Sequence, residues 1–130
     1  MMTIARTAFS RAVLFVCVLL AGASVAAQTV TLTCGGNSQD EFARIMGDGE
    51  KHALLILFVS KNMDYLSGVQ TRVENAAGNT LAERACGPLG QMDVSAPGRY
   101  KITVHYNGAK KTREVELQRT GNTRLLFVLD

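Results

Sequence analysis

The stretch "GRYKITVHYNG", residues 98–108, alternates apolar and polar side chains directly before an Asn-Gly pair. Every second position carries an apolar or aromatic residue: Tyr100, Ile102, Val104 and Tyr106. This spacing places them on one face of a β-strand. Asn107-Gly108 suits a two-residue type I′ turn, in which both central residues have positive φ. The stretch therefore predicts a β-hairpin, and because a lone hairpin is only marginally stable in water, its apolar face must pack on further strands.

The turn also predicts the register of the two hairpin strands. Four outward-facing pairs result: His105 with Lys110, Thr103 with Thr112, Lys101 with Glu114, and Arg99 with Glu116. The last two pairs join opposite charges, so we expect two ion pairs across the strands. The same register puts Lys111 and Arg113 on the apolar face. Either their charged ends reach solvent at the rim, or a β-bulge shifts the alternation.

Further short apolar or alternating runs are separated by Gly, Pro and Asn turns, as strands are. Residues 52–60 form a continuous apolar run, which predicts a central strand buried on both faces. Residues 90–94 mix apolar and polar side chains, which predicts a short strand at a sheet edge. The capping-box spacing of Ser38 and Glu41 predicts a short helix over residues 38–47. The other expected strands cover residues 29–34, 69–74, 80–85 and 123–130.

Seven or eight short strands with one helix indicate an all-β fold, a two-layer antiparallel β-sandwich. In such a fold the inward-facing side chains of both sheets form a common core. The alternation assigns eight residues to that core: Ile56, Phe58, Val73, Tyr100, Ile102, Val104, Leu117 and Phe127.

The first 27 residues have the pattern of a secretory signal peptide. Arg6 and Arg11 precede an apolar run over residues 12–20, and small residues follow as far as Ala27. The run is shorter than the roughly 20 residues that a membrane-crossing helix needs, so cleavage after Ala27 leaves no membrane span. Cys17 follows bulky residues rather than the small ones of a lipoprotein signal, so we expect it to leave with the peptide. The sequence predicts a periplasmic or secreted protein.

Removing 27 of the 130 residues leaves 103, which suits one domain over residues 28–130. Two of the 14 Lys and Arg residues belong to the signal peptide, so 12 remain against 11 Asp and Glu. The mature chain then has a net charge of +1. No nucleic-acid partner is expected, because such partners are bound through a strongly basic surface.

Cys34 and Cys86 remain after signal removal, and an even number of cysteines in an exported chain indicates a disulfide. A zinc or redox site would favour a CxxC spacing, which the chain lacks, and its two histidines, His52 and His105, are far apart in sequence. We therefore expect one disulfide between Cys34 and Cys86, no metal site and no cofactor.

Several segments resemble those of one family. They are "YLSGV" before a strand, "GP" before a short strand, "APGRY" before the next strand and "YNG" at the hairpin. Over residues 54–129 the chain is similar to the carboxypeptidase regulatory-like domain, a transthyretin-like β-sandwich of small exported bacterial proteins. The resemblance implies a fold and no catalytic residues. The chain departs from the family at Cys86, which suggests a disulfide particular to this chain. It also departs in "QMDV", residues 91–94, which suggests a strand at a solvated sheet edge.

Transthyretin-like sandwiches also include the 5-hydroxyisourate hydrolases, which share a Tyr-Arg-Gly-Ser ending and paired site histidines. This chain ends in "LLFVLD", so we do not expect that chemistry. Its polar residues are spread over strand faces and do not form a nucleophile, base and oxyanion set. The sequence predicts a non-catalytic binding or accessory module rather than an enzyme. The alternatives are a small hydrolase on the same fold and a structural subunit of a surface assembly.

The candidate binding face comprises Tyr65, Arg99, Tyr100 and His105, around the hairpin strand and its corner. Its partner would be another periplasmic protein or a cell-envelope glycan. The alternative for the two tyrosines is that they tie loops together at sandwich corners. His52 is expected to have a structural role, bonding a loop carbonyl at the start of the buried strand.

Overall fold

The structure, a computed structural model, describes residues 28–121 and 123–130. The predicted signal peptide, with Cys17, lies outside the described residues. The described residues form eight strands, one α-helix and a 3-10 turn at Gly49–Lys51. In chain order the elements are β1 (Val30–Gly35), α1 (Gln39–Gly47), β2 (Leu54–Ser60), β3 (Val69–Asn75), β4 (Thr80–Cys86), β5 (Leu89–Val94), β6 (Gly98–Tyr106), β7 (Ala109–Leu117) and β8 (Thr123–Leu129).

The strands form two four-stranded sheets that pack face to face. The first sheet has the order β1-β5-β2-β8 and the second has the order β4-β3-β6-β7. Neighbouring strands are antiparallel except β2 and β8, which run parallel. The predicted all-β sandwich is confirmed, with this one parallel pair. Strand β8 follows β7 of the second sheet, crosses back to the first sheet and pairs there with β2.

The core lies between the two sheets and contains all eight residues that the alternation assigned to it. The rings of Phe58 and Phe127 stack there with centroids 6.0 Å apart. Burying a large apolar side chain contributes about 1.5–3 kcal/mol, so this core is the main source of stability.

Strand β5 lies inside the first sheet, between β1 and β2, so its predicted position at a solvated edge is wrong. Its polar alternation is misleading because α1 covers the outer face of this sheet. Ile45 of α1 packs with Leu89 of β5 and Leu55 of β2 in a second apolar cluster. Gln91, on the same side of β5 as Leu89, is buried.

Helix α1 begins where the capping pattern predicts. The hydroxyl of Ser38 accepts a hydrogen bond from the backbone N–H of Glu41 at 3.1 Å. The Glu41 carboxylate accepts from the N–H groups of Gly36 and Asn37, at 2.7 and 3.2 Å. These bonds attach the helix to the end of β1. No helix of the described part of the chain is long and apolar enough to cross a membrane.

The β6–β7 hairpin has the predicted register in all four outward-facing pairs. Asn107 and Gly108 have φ of 47° and 81°, as a type I′ turn requires. No β-bulge interrupts the pairing of β6 with β7, so of the two alternatives the first holds for Arg113, whose charged end lies at the rim. Its guanidinium lies over the ring of the buried Phe127, 5.7 Å from the centroid. Arg113 therefore covers the core where the edges of β7 and β8 meet.

The opposite side of the sandwich is closed covalently. Cys34 of β1 and Cys86 of β4 form a disulfide, with Cα atoms 4.8 Å apart. Beside it, the Arg84 guanidinium of β4 donates to the carbonyl of Leu32 in β1 at 3.1 Å. Both contacts join the first sheet to the second, so the predicted disulfide is confirmed as a bond between layers.

Candidate functional site

The outer face of the second sheet carries the polar surface of the domain, which we call the polar face. All four strands contribute to it, including β4 with the exposed Glu83, which is opposite Arg72. The side chains from β3, β6 and β7 alternate with those of the core. They are Gln70, Arg72, Glu74, Arg99, Lys101, Thr103, His105, Lys110, Thr112, Glu114 and Glu116.

One end of the polar face is neutralised by its own ion pairs. The guanidinium of Arg99 lies 3.2 Å from Glu116 and 3.6 Å from Glu114. Lys101 pairs with Glu74 of β3 at 3.3 Å, so the predicted ion pair between Lys101 and Glu114 is wrong, although the two residues are opposite each other. A strand partner on the other side of β6 competes for the ammonium group, and the hairpin alone cannot reveal it.

Glu74 is the centre of this network. Its side chain is only 13% exposed, and its carboxylate lies between Lys101 and Nε of Arg72, which is 3.4 Å away. Two cations compensate one mostly covered carboxylate, an arrangement that offsets the cost of its desolvation. These three side chains are therefore engaged with each other and brace the sheet.

The other end of the polar face has unpaired groups. Gln70 and His105 are neighbours across β3 and β6, and Lys110 is opposite His105 on β7. With the half-buried Tyr106 they line an open depression of about 490 Å³ beside the Asn107-Gly108 turn. Among the described residues, neither His105 nor Lys110 takes part in an ion pair. The amide, the imidazole and the ammonium group thus face solvent together on the polar face, whereas the side chain of Tyr106 belongs to the opposite face of β6 and packs against the core.

The four candidate residues do not form one site. Arg99 and His105 share the outer face of β6, but they are six positions apart, which corresponds to about 20 Å along the strand. Tyr65 lies in the loop after β2 on the helix side, 61% exposed, with its ring centroid 5.1 Å from that of Phe42. Tyr100 points to the opposite face of β6 and is buried. Only His105 lies in the depression.

Tyr100 ties the corner before β6 to the core, as the alternative for this residue predicts. Its hydroxyl donates to the carbonyl of Ala96 at 2.6 Å and accepts from the side-chain amide of Gln28 at 3.3 Å. Burial raises the pKa of the Tyr100 phenol above its ordinary value, and the Gln28 hydrogen bond partly opposes this. The neutral hydroxyl is thereby held in a structural role.

Replacing Tyr100 by Phe is expected to lower the free energy of unfolding by about 1–2 kcal/mol, because the half-buried carbonyl of Ala96 loses its donor. The raised pKa means that the folded state holds this proton longer than the unfolded state. Its contribution to stability is therefore full below the unfolded pKa of about 10 and is lost as the pH rises above it. Urea unfolding between neutral and alkaline pH measures this. The exposed Tyr65→Phe is the matched control, and an equal loss in both variants would contradict the role of Tyr100.

His52 has a different partner from the expected loop carbonyl. Its Nδ1 lies 2.6 Å from Oδ1 of Asp93 in β5. The pair joins the start of β2 to its neighbouring strand, so His52 has the expected structural role with a carboxylate as partner. The sequence separation of 41 residues hides this contact from any local pattern.

Gln70 and Lys110 are the site residues that the sequence analysis missed. Lys110 was predicted opposite His105, and its place in the site follows once His105 is considered with its neighbours. Gln70 begins the outward alternation of β3, but its position beside His105 depends on the β3–β6 pairing, for which the sequence has no signal.

The described residues hold no group of three or more His, Cys, Asp or Glu side chains arranged to bind a metal ion. Comparison with protein-family models, with curated proteins and with solved structures finds no match to this chain.

Proposed function

We propose that the protein is an exported, non-catalytic binding or accessory module that uses the His105 end of the polar face. The observation that carries this proposal is the cluster of Gln70, His105 and Lys110 beside the Asn107-Gly108 turn. Among the described residues neither charged member of this cluster has an ion-pair partner, whereas the neighbouring Arg72, Glu74 and Lys101 are held by ion pairs to each other. Groups left without partners on a rigid sheet are available to a ligand at little conformational cost.

The chemistry of the depression favours a cell-envelope glycan. An amide both donates and accepts hydrogen bonds, an imidazole does so through its two ring nitrogens, and an ammonium group donates. Sugar rings present many hydroxyl groups, each of which can both donate and accept a hydrogen bond. The depression is open, which suits a chain that enters and leaves it.

A binding assay with purified envelope glycan tests this proposal. His105→Ala and Lys110→Ala are each expected to weaken binding about tenfold, the effect of losing one hydrogen bond to a charged or polar group. Lys61→Ala removes another exposed lysine, from a loop outside the polar face, and is expected to leave binding unchanged. Equal binding by all variants would contradict the site, and binding only to a periplasmic protein would contradict the glycan.

Export is part of the proposal. A disulfide between Cys34 and Cys86 suits an oxidising compartment such as the periplasm. The small residues that end at Ala27 support cleavage after Ala27. Mass spectrometry of the periplasmic protein is expected to find an N-terminus at Gln28.

We also propose membership of the carboxypeptidase regulatory-like family. The segments that resemble it occupy the turns expected of them: "YLSGV" enters β3, "GP" precedes β5, "APGRY" enters β6 and "YNG" closes the β6–β7 hairpin. These are determinants of fold, so the family supports an accessory role without assigning a ligand.

A hydrolase is the competing function, and the His52–Asp93 pair is its best support, since a carboxylate orients the histidine in catalytic triads. Within residues 28–121 and 123–130, no hydroxyl group is hydrogen-bonded to His52. We therefore favour binding over catalysis. Turnover of an acyl or amide substrate that is lost in His52→Asn would reverse this choice.

A further inference from the structure

Strand β8 is an edge strand with backbone groups open to a partner. It pairs with β2 on one side only. The N–H of Thr123 donates to Ala53 just before β2, and alternate residues of β8 direct their backbone groups to the same side. Arg124, Leu126 and Val128 therefore direct their N–H and C=O groups outward. Unprotected edges of this kind are sites of strand addition.

Two of these residues, Leu126 and Val128, present apolar side chains on the outer face of the first sheet. Leu126 is 40% exposed, and Val128 is half-buried. Beside Leu126 lies a shallow groove of about 270 Å³, which Leu55, Leu57 and Met46 of α1 also line. An apolar surface therefore adjoins the open backbone edge.

We propose that β8 pairs with the β8 strand of a second copy of the chain, antiparallel about a twofold axis at Phe127. In this register Leu126 is opposite the partner subunit's Val128. Arg124 is opposite the partner subunit's Asp130, and each contact occurs twice. A twofold interface requires a self-complementary surface, and this strand has one.

The charges select this register over its neighbour. In a hydrogen-bonded pair, both residues direct their backbone groups toward the partner strand. The register of the two β8 strands can therefore shift only by two residues at a time, which moves the twofold axis by one residue. An axis at Leu126 would place Arg124 against the partner's Val128 and leave both charges unpaired. Among the described residues neither Arg124 nor Asp130 has an ion-pair partner, and Asp130 has only a long contact of 3.4 Å to the Lys61 N–H.

The apolar side chains extend across the axis in the same register. Leu57 lies beside Leu126 and Val59 beside Val128 in the β2–β8 pairing. In the dimer each pair of neighbouring side chains continues into the partner subunit. Across the four strands, Leu57 and Leu126 of one copy are followed by the partner's Val128 and then the partner's Val59. The two first sheets become one eight-stranded sheet. The polar face lies on the other sheet, so the dimer leaves the proposed glycan site open.

Sedimentation velocity of the exported protein over a range of concentrations tests the dimer. A single strand pair is at the small end of specific interfaces, so we expect a reversible dimer that dissociates on dilution. Leu126→Lys puts a charge into the apolar row and is expected to weaken association at least about tenfold. Met63→Lys, at a loop residue that is 59% exposed, is the matched control and is expected to associate as the wild type does.

Charge exchange tests the register itself with residues whose replacement leaves the core intact. Arg124→Glu and Asp130→Lys are each expected to weaken the dimer about tenfold, and the double variant is expected to restore it, because the opposite charges again face each other. A wild-type protein that stays monomeric at every concentration would overturn the proposal. A dimer that Met63→Lys weakens equally, or that the double variant fails to restore, would overturn it too.

Discussion

Replacing Cys34 and Cys86 together by Ala is expected to lower the free energy of unfolding by about 4 kcal/mol. The two cysteines are separated by 52 residues, so the disulfide removes much of the conformational freedom of the unfolded chain. It is also the covalent link between the two sheets at the β1–β4 side. A loss of this size is a large part of the roughly 5–15 kcal/mol that holds an average domain folded.

Urea unfolding of the oxidised wild type and the double variant measures this loss. The reduced wild type is the matched control, since it keeps both cysteine side chains and lacks only the bond. We expect it to be destabilised nearly as much as the variant. The chain-entropy model predicts a loss of about 4 kcal/mol. A measured loss of less than about 1 kcal/mol would mean that the bond does not restrain the unfolded chain.

Replacing Phe127 by Ala is expected to cost about 3–5 kcal/mol, because it opens a cavity in the centre of the core. The Phe127 side chain is fully buried, stacks on Phe58 and lies beneath the guanidinium of Arg113. Its removal leaves both neighbours without a packing surface. Thermal and urea unfolding at a protein concentration low enough to keep the chain monomeric measures the effect.

Leu126→Ala is the control, one residue away on the same strand. Its side chain points to the outer face of the sheet and is 40% exposed, so we expect a loss within about 1 kcal/mol. A strand that buries one face must show this difference between successive residues. Equal losses at the two positions would contradict the orientation of β8 and with it the two-layer arrangement.

The sequence predicts the features of this fold that depend on neighbouring residues. The alternation from Tyr100 to Tyr106 determines which side chains enter the core, and the Asn107-Gly108 turn determines the register of β6 with β7. Ser38 similarly marks the start of α1. In each case the responsible interaction joins residues fewer than about ten positions apart, so a short window contains the whole cause.

The errors arise where distant segments meet. Gln91 and Asp93 are typical of a solvated edge strand, yet α1 covers the outer face of β5 and buries Gln91. Lys101 faces Glu114 in the hairpin but pairs with Glu74, because β3 lies on the other side of β6. The sequence predicts only part of the candidate site for the same reason. His105 and Lys110 are predicted together by one turn, whereas Gln70 reaches them only through the pairing of β3 with β6.

The measurement that tests the central claim most directly is the mapping of ligand contacts by amide chemical shifts. Isotope-labelled protein is titrated with purified envelope glycan, and the signals that move identify the surface that binds. We predict that the affected amides belong to Gln70, Tyr106 and Lys110 and their neighbours around His105, while those of α1 and β8 stay in place. Shifts confined to α1, β8 or the Tyr65 loop, or no shifts at any ligand concentration, would contradict a binding module that works through its polar face.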